Sequence, residues 1–360
     1  MRLLPAIAQA ALASTASSEP PLLSFGVDEH SGEYAVSVDG VAWYTSAPPM
    51  ACIAGARMPL IFQSMAATQH GSDKFGTWTG KVAVFAAEKS ATIEVTFKQY
   101  ASRPNLAVAT ARFPSGVDTR GCGANTNLST TFPAFRTAAA RAQALHTLSW
   151  RGQVLSKTAA AKGLGALGAS GLDCGPVAST DSATGRTLVW SSLDSHKILP
   201  QRTANGVWAM GLSGSIPRIP AGFSYSTMFT VAEHAGATAG VYAWGALIQR
   251  FHDTTRLPSV TLSDIGYYTD DGAYYYVWEA FGIPPREAPA ESLLVSVKED
   301  LHRRGVPIAY MQLDDCTPNE IEPLPPALHM CCCRRPVVRS HPITPRVVPR
   351  PVLQLPARRD

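Results

Sequence analysis

The chain has 360 residues, 31 Lys and Arg against 27 Asp and Glu, and 46% hydrophobic residues, enough for one large or two ordinary domains with a buried core. Residues 317–360 hold seven Arg and three acidic residues, which leaves 24 residues of each sign in 1–316, so the formal net charge of +4 belongs to the tail. A balanced body with 16% charged residues excludes nucleic-acid binding by a basic surface, and no apolar run reaches the ~18–20 residues of a membrane-spanning helix.

Residues 1–21 open with Arg2, a short apolar run from Leu3 to Leu12 broken by Pro5 and Gln9, a small-residue Ala11-Leu12-Ala13 and a Ser/Pro stretch. This has the layout of a secretory signal, with an unstructured start as the alternative, and sets a secreted or endomembrane-lumen location as the expectation. Asn127-Leu128-Ser129 is a glycan acceptor triplet, a pattern that also arises by chance. Cys52, Cys122 and Cys174 occur singly, which argues against zinc-ribbon or thioredoxin chemistry and leaves both a disulfide and three buried thiols open. Cys331-Cys332-Cys333 has no His at ligand spacing. No metal and no cofactor is expected.

Residues 22–257 consist of short β-branched and aromatic runs separated by Gly, Pro, Asn, Asp and Ser clusters, an all-β pattern. The clearest hairpin is Tyr34–Val38, then Asp39-Gly40, then Val41–Tyr44, because Asp-Gly supplies the positive φ angles of a two-residue turn. Further strands are predicted at Val82–Ala87, Thr92–Tyr100, Leu106–Phe113, Thr187–Ser191, Gly206–Gly211 and Phe223–Val231. So many strands predict a large β-sandwich, since each sheet needs a second one over its apolar face. Ala138–Leu148 is Ala-rich and favours helix by propensity, yet inside this pattern it reads as strand or irregular chain. A helical stretch follows from Thr238 through Phe251.

Residues 258–316 read differently: a strand at Leu262–Thr269, a helix at Ala290–Arg304, and a strand at Val306–Leu313. Leu293, Leu294, Val297 and Leu301 share one helix face, Glu287 and Glu291 lie near its start, and His302-Arg303-Arg304 end it before Gly305, as the helix dipole and stop signals require. Strand, helix and strand with a tight link make a βαβ unit with parallel strands, normally one piece of a doubly wound sheet or an eight-stranded barrel. Residues 317–360 contain ten Pro among 44 positions with no apolar periodicity and are expected to be disordered. The fold class expected is therefore mainly β: a large N-terminal sandwich, an incomplete (β/α)8 barrel and a disordered tail.

Two acidic pairs stand out, Asp270-Asp271 and Asp314-Asp315, each at the carboxyl end of a predicted parallel strand. In a β/α barrel both would face one pocket. Acidic residues also end strands as turn formers or helix N-caps, and paired carboxylates can hold a divalent cation or accept hydrogen bonds from sugar hydroxyls.

Ile308-Ala309-Tyr310-Met311-Gln312-Leu313-Asp314-Asp315-Cys316 resembles the second barrel strand of α-galactosidases and their clan relatives, which ends in Asp-Asp-Cys-Trp. Leu262-Ser263-Asp264-Ile265-Gly266-Tyr267-Tyr268-Thr269-Asp270-Asp271-Gly272-Ala273-Tyr274-Tyr275-Tyr276 resembles the first barrel strand of α-galactosidase-like and raffinose-synthase-like proteins, with Tyr268 in place of Trp and Asp271 in place of Asn. Gly211–Pro217 and Trp244-Gly245 resemble the end of the sandwich that leads into such barrels. The likeness covers roughly residues 22–316 and breaks at Thr317, where the family has Trp.

The resemblance implies a retaining glycoside hydrolase, with one carboxylate attacking the anomeric carbon and a second protonating the leaving oxygen, and assigns Asp314 and Asp315 to galactose hydroxyls. In that family the two catalytic aspartates follow the fourth and sixth barrel strands, and no residue of this chain matches either. Only 59 residues run from Pro258 to Cys316, against about 250 for a barrel. The expectation is a glycosidase-like chain that binds a galactoside and does not cleave it, with the tail as translated intron or shifted-frame sequence. The alternatives are a non-catalytic carbohydrate-binding sandwich and a structural or interaction protein. Trp43, Trp78, Trp190 and Trp208 read as core or rim residues, His196 and His252 as structural. Gly163–Gly168 imitates a dinucleotide loop without the βαβ unit such a loop needs. The sequence carries no signal for an oligomeric state.

Overall fold

The computed structural model describes residues 22–87, 91–123, 128–151, 157–164, 175–232, 236–268 and 290–312. They fall into two compact units that divide between Thr255 and Arg256.

The first unit is built from antiparallel strands. In chain order these are β1 (Leu23–Val27), β2 (Tyr34–Val38), β3 (Val41–Ser46), β4 (Met50–Ile53), β5 (Ala56–Pro59), β6 (Ile61–Asp73), β7 (Gly76–Ala87), β8 (Ala91–Tyr100), β9 (Arg103–Phe113) and β10 (Val117–Asp118). Then come β11 (Ala134–Thr137), β12 (Leu145–Arg151), β13 (Lys157–Lys162), β14 (Val177–Asp181), β15 (Thr187–Ser192), β16 (Gln201–Ala204), β17 (Val207–Met210), β18 (Arg218–Ile219) and β19 (Phe223–Ala232), followed by helix α1 (Gly236–His252). A six-stranded sheet runs β1-β2-β3-β11-β17-β16, and a nine-stranded sheet runs β13-β12-β14-β15-β19-β9-β8-β7-β6. The mainly β fold and the N-terminal sandwich are as the sequence predicts.

Side chains from the two inner faces interdigitate. Tyr34 of β2 meets Phe97 of β8 with ring centroids 5.2 Å apart, Tyr44 of β3 meets Trp190 of β15 at 5.1 Å, and Trp208 of β17 meets Trp190 at 5.5 Å. Two of the buried polar tips find partners, as such groups usually do: Tyr225 Oη donates to the Phe132 carbonyl at 2.6 Å, and Trp208 Nε1 donates to Gln201 Oε1 at 2.9 Å, whereas Trp190 Nε1 is buried without one. The alternating burial of β2 and β8 is that of strands with one face inward. The Asp39-Gly40 turn forms with φ of 51° and 72°, as its sequence requires.

Strand β15 is buried at every position because α1 covers its outer face. Trp244, Leu247, Ile248 and Phe251 recur at helical spacing and pack on Phe75, Tyr100, Leu106, Val108, Leu193 and Met228. Gly240 lets the helix approach: a Cβ there would lie 2.8 Å from Thr187 Cγ2. The segment around Ala138 forms a 3-10 turn at Ala139–Arg141 before β12 begins, so strand context overrides its helix propensity.

A disulfide joins Cys52 of β4 to Cys122, with Cα atoms 5.7 Å apart across 70 residues of sequence. Beside it, Gly121 packs on Gly55 so closely that a Cβ on Gly121 would sit 3.2 Å from Gly55 Cα. Of the acceptor triplet, Ser129 is fully buried and its Oγ donates to the Leu212 carbonyl at 3.1 Å, while Asn127 lies outside the described residues.

The second unit contains a short helix α2 (Val260–Ser263), β20 (Ile265–Tyr268), α3 (Ala290–Arg303) and β21 (Ile308–Gln312). The two strands pair in parallel, which establishes the βαβ unit. One boundary is corrected: Leu262 and Ser263 belong to a helical turn, with Asp264 N–H donating to the Val260 carbonyl at 3.0 Å, and the strand starts at Ile265. Helix α3 ends as its sequence demands. Gly305 takes φ of 76°, its N–H reaches the His302 carbonyl at 3.0 Å, and Val306 N–H reaches that of Leu301 at 2.9 Å, the paired bonds of a Schellman cap.

Candidate functional site

The acidic pairs follow the two parallel strands. In the register Gly266 partners Tyr310, Tyr267 partners Met311 and Tyr268 partners Gln312, after a shift between Ile265 and Gly266. Gly266 is constrained by its neighbour: a Cβ on it would lie 2.1 Å from Tyr310 Cζ, so the Tyr310 ring extends over the glycine. Asp270, Asp271, Asp314 and Asp315 themselves lie outside the described residues. Asp270 stands two residues beyond Tyr268, and Asp314 two beyond its partner Gln312.

In the first unit, the tryptophans sort by burial. Trp43, Trp190 and Trp208 are at most 2% exposed and offer no ring face to a ligand. Trp78 packs at the rim of the cluster under α1, with Lys98 Nζ 4.6 Å from its ring centroid.

Ser192 Oγ lies 2.8 Å from His196 Nδ1, a pair that could have suggested a nucleophile and base. Ser192 is 1% exposed, so no substrate reaches it. His252 Nε2 donates to the Leu193 carbonyl at 2.8 Å, and its ring centroid is 5.6 Å from that of His196. Asp194 lies in the same turn; its carboxyl is held above the ordinary value by burial, against hydrogen bonds from Ser195 and Ser226. Both histidines thus hold structural contacts, as the sequence implies.

A cavity of about 540 Å³ is lined by Ser115, Gly116, Val117, Asp118, Arg120, Pro217 and Arg218. Arg120 chelates Asp118, with Nε 3.0 Å from Oδ1 and Nη2 2.5 Å from Oδ2, and this contact pulls the Asp118 carboxyl down to about 2. The cavity was not foreseen, because strands β10 and β18 that wall it are two residues each and leave no periodicity. Among the described residues no group of three or more His, Cys, Asp or Glu could hold a metal, and no helix is long and apolar enough to cross a membrane.

No protein-family model matches the sequence, and no curated protein matches it significantly. Among solved structures, the chain is similar to a quadruple mutant of the α-N-acetylgalactosaminidase NagBb from Bifidobacterium bifidum. The TM-score is 0.52 at 14% identity, covering 84% of this chain and 53% of that one. The fold is glycoside hydrolase-like. A variant of a glycoside hydrolase family 97 enzyme from Pseudoalteromonas sp. strain K8 also matches, with TM-score 0.47, 10% identity, and 81% and 45% of the two chains covered. So does a β-arabinopyranosidase, with TM-score 0.43, 14% identity, and 83% and 55% covered. The chain spans about half the length of these structures. NagBb has also been solved in complex with GalNAc.

Proposed function

We propose that this glycoside hydrolase-like chain is of the α-galactosidase type, with Asp314 and Asp315, together with Asp270 and Asp271, receiving the hydroxyl groups of a terminal galactoside. What supports the reading is the parallel register, in which Tyr268 partners Gln312 and each aspartate pair follows its strand at the same offset. Adjacent strands lie ~4.8 Å apart, a spacing suited to carboxylates that grip neighbouring hydroxyls of one sugar ring. On this reading β20, α3 and β21 are the first βαβ unit of a β/α barrel.

Turnover needs a nucleophile and a general acid, and the four aspartates take neither role on this reading, which concerns galactoside binding. The buried disulfide supports a secreted or luminal location, where such bonds persist. The burial of Trp43, Trp190 and Trp208 disfavours a sandwich that binds glycan by ring stacking. Equilibrium titration with methyl α-galactoside, methyl α-glucoside and methyl β-galactoside tests the assignment. Selective binding of the first is expected, and equal or absent binding of all three overturns it.

A further inference from the structure

The last turn of α1 is tied to the sandwich through two imidazoles. His252 donates from Nε2 to the Leu193 carbonyl at 2.8 Å, and its ring lies 5.6 Å from that of His196, which is itself bonded through Nδ1 to Ser192 Oγ at 2.8 Å. Three residues past His252 the first unit ends, so this contact lies close to that boundary. We propose that the His196–His252 contact is a pH-sensitive latch, which holds the end of α1 on the sandwich at neutral pH and releases it in mild acid.

The charged groups around it come from several elements. From the turn after β15 comes Asp194, with one carboxyl oxygen buried and unpartnered, and the exposed Lys197. Strand β19 supplies only the Ser226 hydrogen bonds to Asp194. The β6–β7 turn supplies Lys74, whose Nζ lies 5.7 Å from the Phe251 ring centroid, and Asp73, already engaged by Lys98 and Tyr100. Helix α1 adds Arg250, bonded through Nε to the Lys74 carbonyl at 3.3 Å, and Asp253 follows in the helix-ending turn. Of these carboxylates Asp194 alone has an oxygen buried without a partner, while Asp73 is engaged and Asp253 is exposed. His196 is half-buried and His252 exposed, so a proton on His196 brings a charge into the more buried of the two positions, which disfavours the docked state.

Burial holds His196 below its ordinary value of 6.5, the charge of His252 adds to the effect, and Asp194 opposes it. A lowered histidine favours the docked state above the ordinary value and loses that contribution as pH falls below it. The release therefore belongs to mild acid.

Hydrogen exchange of the full chain at pH 7.5 and 5.5 tests the latch, read as protection factors so that the intrinsic pH dependence of exchange divides out. Amides 248–252 should lose protection by about tenfold at pH 5.5, on the scale of a local opening, while the β8 amides keep theirs. His196→Gln should abolish that difference. Should His196→Gln loosen the whole sandwich at pH 7.5, His252→Gln, which keeps a donor for the Leu193 carbonyl, serves in its place. Equal protection of 248–252 at both pH values, an undiminished loss in the folded variant, or a uniform loss across β8 and α1 would each overturn the proposal.

Discussion

Gly266 and Tyr310 are register partners across the parallel pair β20 and β21, and the tyrosine ring occupies the space a side chain on the glycine would need. Gly266→Ala should therefore force the ring aside at a cost of about 1–3 kcal/mol. The same change made in a Tyr310→Ala background should cost much less. Hydrogen exchange of the β21 amides reads both, and identical effects in the two backgrounds would show that the ring contact is immaterial.

The Cys52–Cys122 bond closes 70 residues of sequence, so it limits the unfolded chain considerably. Cys52→Ser with Cys122→Ser should lower unfolding stability by about 2–5 kcal/mol. Denaturant unfolding of the oxidised parent and the double variant checks this. Coincident curves would mean the bond contributes nothing.

Trp190 is fully buried between the sheets and meets Tyr44, Trp208 and Phe229. Trp190→Ala should cost about 3–5 kcal/mol through lost contacts and a cavity. A loss below about 1 kcal/mol in a chemical denaturation series would place this ring outside the energetic centre of the core.

Asp181 is buried and receives Arg141 Nη2 at 2.6 Å, the Ala183 N–H at 3.0 Å and Thr184 Oγ1 at 3.1 Å. Burial opposes ionisation, yet these bonds together hold its carboxyl below the ordinary 3.8. A lowered carboxylate contributes stability above that ordinary value and loses it as pH falls below. Asp181→Asn should thus be destabilised at pH 7, by about 3 kcal/mol for a broken buried pair, and should lose less than the parent between pH 4 and 2.5. Parallel pH–stability curves for the two proteins would contradict the assignment.

Where local chemistry dictates geometry, the sequence is legible. Asp39-Gly40 must turn, Gly305 must end α3, and the apolar stripe of α1 must lie on a sheet. Strand β6 escapes a sequence reading because it is a largely exposed edge strand whose period is broken by register shifts at Phe62/Ser64 and Ala66/Gln69, a common protection against edge pairing. Leu262 misleads because Val260 and Leu262 look like strand residues yet are 46% and 60% exposed in a helical turn. The disulfide could not be chosen from three single cysteines, since only the fold brings Cys52 and Cys122 together. The aspartate pairs were visible from their position after apolar runs; the parallel register that relates them required the structure.

We propose that Asp270 and Asp314 hold a galactoside. Calorimetric titration of methyl α-galactoside into the full chain, Asp314→Asn and Asp270→Asn tests this most directly. Binding by the parent is expected, with a loss of at least about tenfold in each variant, as for a hydrogen bond to a charged group. Equal affinity in all three proteins, or no binding by the parent, would contradict it.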